Sequence, residues 1–192
     1  MLNQLILGDN LEILKSLPSE SVDLCYIDPP FFSNRNYAVI WGDKGEMRSF
    51  EDCWDGGIDT YINWMFKRVT EIHRVLKPTG SFYLHCDWHA QAELKVYVLD
   101  KIFGTKNFRN TIIWHYYNKY SAGKKCLPRA YDNIFYYGKS ELHNPNELRD
   151  KREEPVKQLL RENINGVLKN KKGADGKVMY RIVDDKKSDD VW

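Results

Sequence analysis

The four residues Asp28, Pro29, Pro30 and Phe31 follow an apolar run and combine a carboxylate, two stiff residues and an aromatic ring. Proline has a fixed φ and no backbone N–H, so the pair predicts a rigid corner whose carbonyl oxygens face a ligand without a competing donor. The corner offers an acceptor carboxylate, an acceptor carbonyl and a stacking surface, which suits a planar group carrying an NH2. A strand-ending turn with a core aromatic is the alternative, because turns favour Asp and Pro.

Alternating strands and helices are predicted to position this corner. The run Val22–Ile27 is nearly continuous in apolar residues, as parallel strands covered on both faces are. The predicted strands are 3–7, 22–27, 81–85, 109–117 and 133–137, and the predicted helices are 11–17, 61–76 and 91–103. This order indicates an α/β fold with a mainly parallel sheet and helices on both faces. Ligands bind beyond the carboxyl ends of strands in such sheets, and Asp28 follows one of these ends.

Two further segments differ in character from this pattern. Residues 31–59 are long, polar and aromatic, which predicts a functional loop, with Trp41 and Trp54 as candidates to close over a ligand. After Lys139 the chain is charged and poor in aromatics, with one predicted helix over 155–161 and a basic turn over 169–173.

Composition sets the remaining limits. A length of 192 residues predicts one domain, or one domain with an appendage. The 29 basic and 27 acidic residues leave a net charge of +2, which argues neither for nor against nucleic acid. The four cysteines have no CxxC spacing, and neither a signal peptide nor an apolar run of about 20 residues occurs. These features predict a cytoplasmic protein with reduced thiols and no membrane partner.

The ordered motifs resemble those of the β-class DNA amino-methyltransferases. The segment GDNLEILKSLPSESVDLCYIDPPF resembles the opening of that class, in which the catalytic half precedes the cofactor half. WMFKRVTEIHRVLKPTGSFYLHCD, NTIIWHYYN and YDNIFYYGKS resemble its following helix and strands, and DDVW resembles the segment that closes its target-recognition region. The resemblance implies part of a Rossmann-like sheet of an S-adenosylmethionine-dependent methyltransferase.

The resemblance also implies an activity. Asp28, Pro29, Pro30 and Phe31 become the catalytic residues for methylation of adenine N6 in duplex DNA, after the base is flipped out of the helix. Hydrogen bonds from the amine to the Asp28 carboxylate and the Pro29 carbonyl would raise its nucleophilicity, and Phe31 would stack on the base. S-adenosylmethionine is the implied cofactor, and its predicted contacts are Asp9, Asp28, His85 and Asp87. A helix N-cap is the alternative role for Asp9.

A basic, aromatic segment is predicted to contact DNA. Lys119, Lys124, Lys125 and Arg129 lie between His115 and Ala130 with no acidic residue among them, and tyrosines interleave with them. Such a loop beside the sheet edge suits contact with phosphates. An ordinary solvated run of charges is the alternative.

In one respect the sequence departs from the family pattern. The Gly-rich FxGxG turn that binds most of the cofactor follows the recognition region in β-class order, and it is absent from this sequence. Residues 1–140 are therefore predicted to be a catalytic half and 141–192 a target-recognition or connecting region. We expect weak or absent cofactor binding by this chain, with a C-terminal half or a homodimer completing the site. We also expect the protein to act in restriction-modification.

The sequence is also compatible with other functions. Cytosine-N4 methylation is the nearest alternative, although those enzymes more often carry Ser in place of Asp28. A non-catalytic DNA-binding remnant and methylation of RNA or of a protein amide are others. A metal site would use His85, Cys86, Asp87 and His89, but strand alternation would send His85 and Cys86 to opposite faces.

Overall fold

The computed structural model describes residues 3–41, 46–118 and 125–192, with the backbone alone over 36–41 and 46–51. The chain forms two units. The first runs to Pro145 and also includes Asp190–Trp192, and the second is Asn146–Asp189. The roles assigned to residues 1–140 and 141–192 stay a prediction.

Both units contain regular elements over most of their length. The first has α1 (Asn10–Ser16), β1 (Val22–Ile27), β2 (Arg35–Trp41), β3 (Glu46–Asp52), α2 (Gly57–Val75), β4 (Leu76–Cys86), α3 (Gln91–Glu93), a π-helical segment (Leu94–Leu99), α4 (Asp100–Ile102), β5 (Phe108–His115) and β6 (Tyr131–Gly138). The second has β7 (Arg149–Leu159), β8 (Arg161–Ile164), β9 (Val167–Asn170) and β10 (Tyr180–Lys187). The predicted α/β class is confirmed.

The central sheet of the first unit has the strand order β1-β4-β6-β5. β1 and β4 pair in parallel, whereas β6 pairs antiparallel with both β4 and β5. β1, β4 and β5 therefore run in one direction, and the expectation of a mainly parallel sheet is wrong for β6. No described helix separates β5 from β6, and a direct return of the chain produces antiparallel pairing, because a parallel connection needs a crossover.

One face of this sheet carries the core. Phe82, Leu84 and Cys86 of β4 are fully buried and pack with α2 and the π-helical segment, for example with Met65 and Val98. The intervening residues of β4 point to the opposite face because side chains alternate along a strand. That alternation puts the Cys86 thiol in the core and sends the preceding side chain, His85, to the other face.

The structure corrects four local expectations. Residues 3–7 pair with no strand in the described part of the chain, and Leu5 and Leu7 are fully exposed. The expected long loop contains the antiparallel hairpin of β2 and β3. The expected helix over 91–103 is interrupted by the π-helical segment, and the predicted basic turn begins inside β9.

The predicted helix over 155–161 is also wrong, because this segment lies mostly in β7, antiparallel to β10. The register shifts between the pairs Val183↔Val156 and Asp185↔Lys151, and Pro155 lies in this irregular stretch. A bulge is one of the few places where a strand tolerates a proline, which cannot donate a ladder hydrogen bond.

Gly80 of β4 provides a test of the packing between β1 and β4. A Cβ atom at Gly80 would lie 2.9 Å from the Lys77 carbonyl oxygen and 3.2 Å from the Asp23 carbonyl oxygen. These are backbone atoms and cannot rotate away, so we expect Gly80→Ala to reduce the free energy of unfolding by about 1–3 kcal/mol, as overpacking does. Urea denaturation measures this change. Thr79→Ala, at the exposed neighbouring position, is the control, and equal stability of the two variants would contradict the packing.

None of the helices in the described ranges is long and apolar enough to cross a membrane.

Candidate functional site

Asp28 lies at the carboxyl edge of the central sheet, directly after β1. Because Ile27 of β1 pairs in parallel with Leu84 of β4, the residues that follow them in the chain, Asp28 and His85, lie side by side. The Asp28 side chain is 58% exposed, and its Oδ1 lies 3.7 Å from Nδ1 of His85. The predicted acceptor carboxylate is therefore open to a ligand.

The corner formed by the two prolines is held by a hydrogen bond from Tyr61. The Tyr61 hydroxyl donates a hydrogen bond of 2.7 Å to the Pro30 carbonyl. Burial raises the pKa of Tyr61 well above its ordinary value, so the phenol remains a donor. In the described ranges no hydrogen bond reaches the Pro29 carbonyl, so that oxygen is available, together with Asp28, to accept from an amine.

The two phenylalanines after the corner differ in conformation and contacts. The Phe31 ring lies 5.4 Å from the His85 ring, centroid to centroid, and is only partly buried. Phe32 has a φ of 62°, in the left-handed region that bulky side chains rarely adopt. Such strained residues persist where the surroundings over-determine them, and they cluster at functional sites.

Asp52, at the end of β3, holds this strained backbone in place. Its carboxylate accepts from the backbone N–H of Phe32 at 3.0 Å, from the N–H and hydroxyl of Ser33 at 2.6 and 2.7 Å, and from Trp54 Nε1 at 2.9 Å. Burial by itself would raise the pKa of Asp52, but these hydrogen bonds outweigh it and hold the pKa below its ordinary value. The Asp52 side chain therefore stays ionised inside the protein.

Sequence reasoning missed Asp52, since an acidic residue in a polar segment has no distinguishing neighbour. It also missed the role of Trp54, which had been expected to close over a ligand. Trp54 packs instead against Tyr61 and Trp64, with ring centroids 4.9 and 5.2 Å apart. The side chain of Trp41 lies outside the described residues.

His85 belongs to a second polar cluster behind Asp28. Its Nδ1 lies 2.9 Å from the Tyr26 hydroxyl, and its Nε2 lies 3.5 Å from Oδ2 of Asp132, a buried residue of β6. The same Asp132 oxygen accepts a hydrogen bond of 2.8 Å from the Tyr116 hydroxyl. The cluster of Tyr26, Asp132 and Tyr116 around His85 was not predicted, because strand pairing between distant segments brings these residues together.

Two of the predicted cofactor contacts already have partners in the chain. Asp9 accepts from the Leu11 N–H at 2.7 Å as the N-cap of α1, and from Nη2 of Arg68 at 2.9 Å. The Leu11 N–H and, after it, the Arg68 charge hold the pKa of Asp9 below its ordinary value. Asp87 accepts from the His89 backbone N–H and lies 2.6 Å from His89 Nδ1.

These contacts limit how the cofactor would be held. A carboxylate has about four lone-pair positions, so Asp9 and Asp87 retain room for another donor. Their chemistry therefore fits hydroxyl or amine donors of a cofactor, although the described acceptors at the corner fit an amine substrate better. Cofactor contacts at Asp9, Asp28, His85 and Asp87 stay a prediction.

Half of the predicted DNA contacts can be located. Lys125 and Arg129 are exposed, and the Arg129 guanidinium lies 3.9 Å from the Trp88 ring centroid. Lys119 and Lys124 lie outside the described residues. Within the described ranges, no group of three or more His, Cys, Asp or Glu side chains gathers in a way that would hold a metal ion.

Comparisons with known proteins show the family to which this chain belongs. Residues 22–192 match the family model of the N6/N4 DNA methylases. The type II methyltransferase M.KpnI of Klebsiella pneumoniae is 30% identical over 143 residues, which cover 73% of this chain and 33% of that protein. The DNA adenine methyltransferase YhdJ of Escherichia coli K12 is 31% identical over 130 residues, which cover 68% of this chain and 39% of YhdJ.

The chain belongs to the DNA methylase family of amino-methyltransferases, and the resemblance inferred from the motifs is confirmed. It spans less than half the length of these two relatives. The methyl donor of this family is S-adenosylmethionine, in agreement with the predicted cofactor.

Proposed function

We propose that this chain carries the catalytic corner of a site-specific DNA methyltransferase that methylates adenine N6 in duplex DNA by base flipping. The carrying observation is the open carboxylate of Asp28, with the free Pro29 carbonyl and the Phe31 ring beside it. This set matches an exocyclic amine, which has two N–H donors on a flat base. The proposal also includes a wider DNA-binding surface and a further half of the enzyme that binds the cofactor.

The chain's own residues would act by positioning and polarisation. The two protein acceptors, the Asp28 carboxylate and the Pro29 carbonyl, would accept hydrogen bonds from the amine. These bonds draw the amine nitrogen toward a tetrahedral geometry and stabilise positive charge as it develops. Phe31 would hold the flipped base by stacking, worth about 1–3 kcal/mol per base in single-strand binding proteins. S-adenosylmethionine, when bound, supplies an electrophilic methyl group.

Adenine is favoured over cytosine by the first residue of the motif and by a relative. Asp28 stands where cytosine-N4 enzymes more often carry Ser, and YhdJ is named as an adenine methyltransferase. The decisive measurement is mass spectrometry of nucleosides from duplex DNA incubated with the protein and S-adenosylmethionine. N6-methyladenine supports the proposal, whereas N4-methylcytosine selects the alternative. The same assay on RNA tests the remaining substrate class.

Two partners belong to this proposal. The outer edge of β1 pairs with no strand in the described ranges, and Leu24 and Tyr26 are at least half exposed on that strand. A C-terminal half bearing the cofactor turn, or a second copy of the chain, would cover this edge. Calorimetric titration of S-adenosylmethionine, alone and with a separately expressed C-terminal half, distinguishes these cases. DNA binding that stays free of methyl transfer with that half added would indicate a non-catalytic remnant.

Among the described basic residues, we choose Arg129 to test the proposed contact with DNA. Its guanidinium lies over the ring of Trp88, two residues after the end of β4. We expect Arg129→Ala to weaken duplex binding for all sequences alike and to lower the salt-dependence slope by about 1. Fluorescence anisotropy over a salt series measures both. Lys101→Ala, an exposed cation on α4, is the control, and an unchanged slope in the Arg129 variant would exclude the contact.

A further inference from the structure

His85 contacts two side chains of the catalytic corner, Asp28 and Phe31. Its imidazole lies 3.7 Å from the Asp28 carboxylate and 5.4 Å, between centroids, from the Phe31 ring. Asp28 has no other ion-pair or hydrogen-bond contact in the described ranges. Among the described residues, His85 is therefore the group placed to orient this exposed carboxylate.

The back of the imidazole is buried and points at a second carboxylate. Nε2 of His85 is buried with no hydrogen-bond partner, 3.5 Å from Oδ2 of Asp132. That distance is longer than an N–H···O hydrogen bond. An unsatisfied buried polar atom in a native structure calls for an explanation.

The neighbouring groups decide where the proton of the ring lies. An ionised carboxylate only accepts hydrogen bonds, so a lone pair on Nε2 facing Asp132 would be repelled. The proton therefore belongs on Nε2, and the Tyr26 hydroxyl, 2.9 Å from Nδ1, then donates to the other nitrogen. Asp132 is held in turn by the Tyr116 hydroxyl. The ring is oriented from β1, from β6 and, through Asp132, from the segment after β5.

We propose that His85 is a positioning residue for methyl transfer: Asp132 fixes its Nε2-protonated tautomer, and the ring holds Asp28 and Phe31 in place at the end of β1. The catalytic role of this assembly rests on the proposed function. Hydrogen bonds of catalytic assemblies are commonly long before substrate binds and tighten in the reactive complex, which accounts for the distances of 3.5 and 3.7 Å.

The tautomer is tested on the chain itself, without cofactor or DNA. Long-range ¹H–¹⁵N correlation spectra distinguish the two tautomers of each neutral imidazole, and His85→Phe identifies the signals of His85. We expect the Nε2-protonated form in the wild type. Asp132→Asn is expected to favour the Nδ1-protonated form, because its amide can donate to Nε2. A wild-type ring protonated on Nδ1 overturns the proposal.

The positioning of Asp28 is tested by its χ1 angle, measured from three-bond couplings to its carboxyl carbon. We expect one rotamer in the wild type and averaged couplings in His85→Phe, which keeps a ring against Phe31 but removes both nitrogens. His143→Phe is the matched control, since His143 contacts Tyr136 and Ser81 on the same sheet and has no contact with Asp28. A single Asp28 rotamer in His85→Phe overturns the proposal.

Kinetics supply the third readout. We expect His85→Phe to lower kcat on the order of 100-fold with KM for DNA unchanged, the size of effect that misplaced groups produce. His85→Asn, whose amide nitrogen comes near the position of Nδ1, should recover part of the loss. Normal kcat in His85→Phe while Asp28→Ala is inactive rejects this inference and leaves the proposed function intact. Absence of methyl transfer by the complete wild-type enzyme rejects the proposed function, and the two NMR measurements still decide the positioning.

Discussion

Replacement of Asp28 by alanine is expected to abolish methyl transfer and to leave the fold unchanged. The carboxylate is 58% exposed and lies beside His85 at 3.7 Å, so its removal leaves no buried donor unsatisfied. In the proposed mechanism, its loss removes the charged acceptor at the point where positive charge develops on the amine. Loss of one placed group of this kind costs on the order of 10²–10³-fold in rate. Single-turnover transfer of a labelled methyl group into duplex DNA measures the effect.

The control for this experiment lies on the same strand. Asp23 is an exposed carboxylate of β1 that forms a surface ion pair of 2.7 Å with Lys77. Such pairs contribute little to stability, so Asp23→Ala should keep both activity and melting behaviour. Thermal unfolding followed by circular dichroism should be cooperative in both variants. Activity at the wild-type level in Asp28→Ala would contradict the mechanism. Loss of the folded state in this variant would show that Asp28 has a structural role instead.

Replacement of Asp52 by alanine is expected to reduce the free energy of unfolding by about 3 kcal/mol. Its fully buried carboxylate accepts four hydrogen bonds, and the variant leaves the N–H groups of Phe32 and Ser33 and the Trp54 indole without their acceptor. The backbone of Phe32 then loses the hydrogen bonds that hold it in its left-handed conformation. We expect the corner after Pro30 to relax, so methyl transfer should fall as well.

The contribution of Asp52 depends on pH in a defined direction. The hydrogen bonds hold its folded-state pKa below the ordinary value, although burial opposes them. Its stabilising effect is therefore complete above the unfolded-state pKa of about 4 and is lost as the pH falls through the lower folded-state pKa. Urea denaturation of the wild type and Asp52→Ala at neutral and strongly acidic pH should give a large stability difference that shrinks in acid.

A neighbouring acid separates this effect from a general loss of charge. Asp55 is exposed and lies only three positions further along the chain. Asp55→Ala should unfold like the wild type at both pH values. A stability difference between wild type and Asp52→Ala that persists undiminished in acid would mean that packing, and not the ionised carboxylate, accounts for the loss.

Local sequence was enough to predict the turn at Asp28 and the elements that carry it. An apolar run of six residues followed by Asp28, Pro29, Pro30 and Phe31 is a strand that ends in a stiff turn, whatever the rest of the chain does. The helix now bounded by Gly57–Val75 follows similarly from its apolar period. The N-cap alternative for Asp9 is also confirmed, because capping depends on residues only two positions apart.

Features that depend on distant residues were beyond this reasoning. The antiparallel direction of β6 depends on how the chain returns from β5, and the strand over 155–159 depends on pairing with β10. Helical and strand propensities differ by roughly 1 kcal/mol or less per residue, so a partner strand readily decides between them.

The sequence by itself determined the family, the acceptor set at Asp28 and the end of the strand that presents it, since all of these reside in contiguous residues. Only the tertiary structure decided that Asp52 anchors the backbone of Phe32 from 20 residues away and that His85 stands between Asp28 and Asp132. The physical reason is that hydrogen bonds and ion pairs act over a few ångströms, and only the pairing of β4 with β1 and with β6 brings His85 within that range of both Asp28 and Asp132.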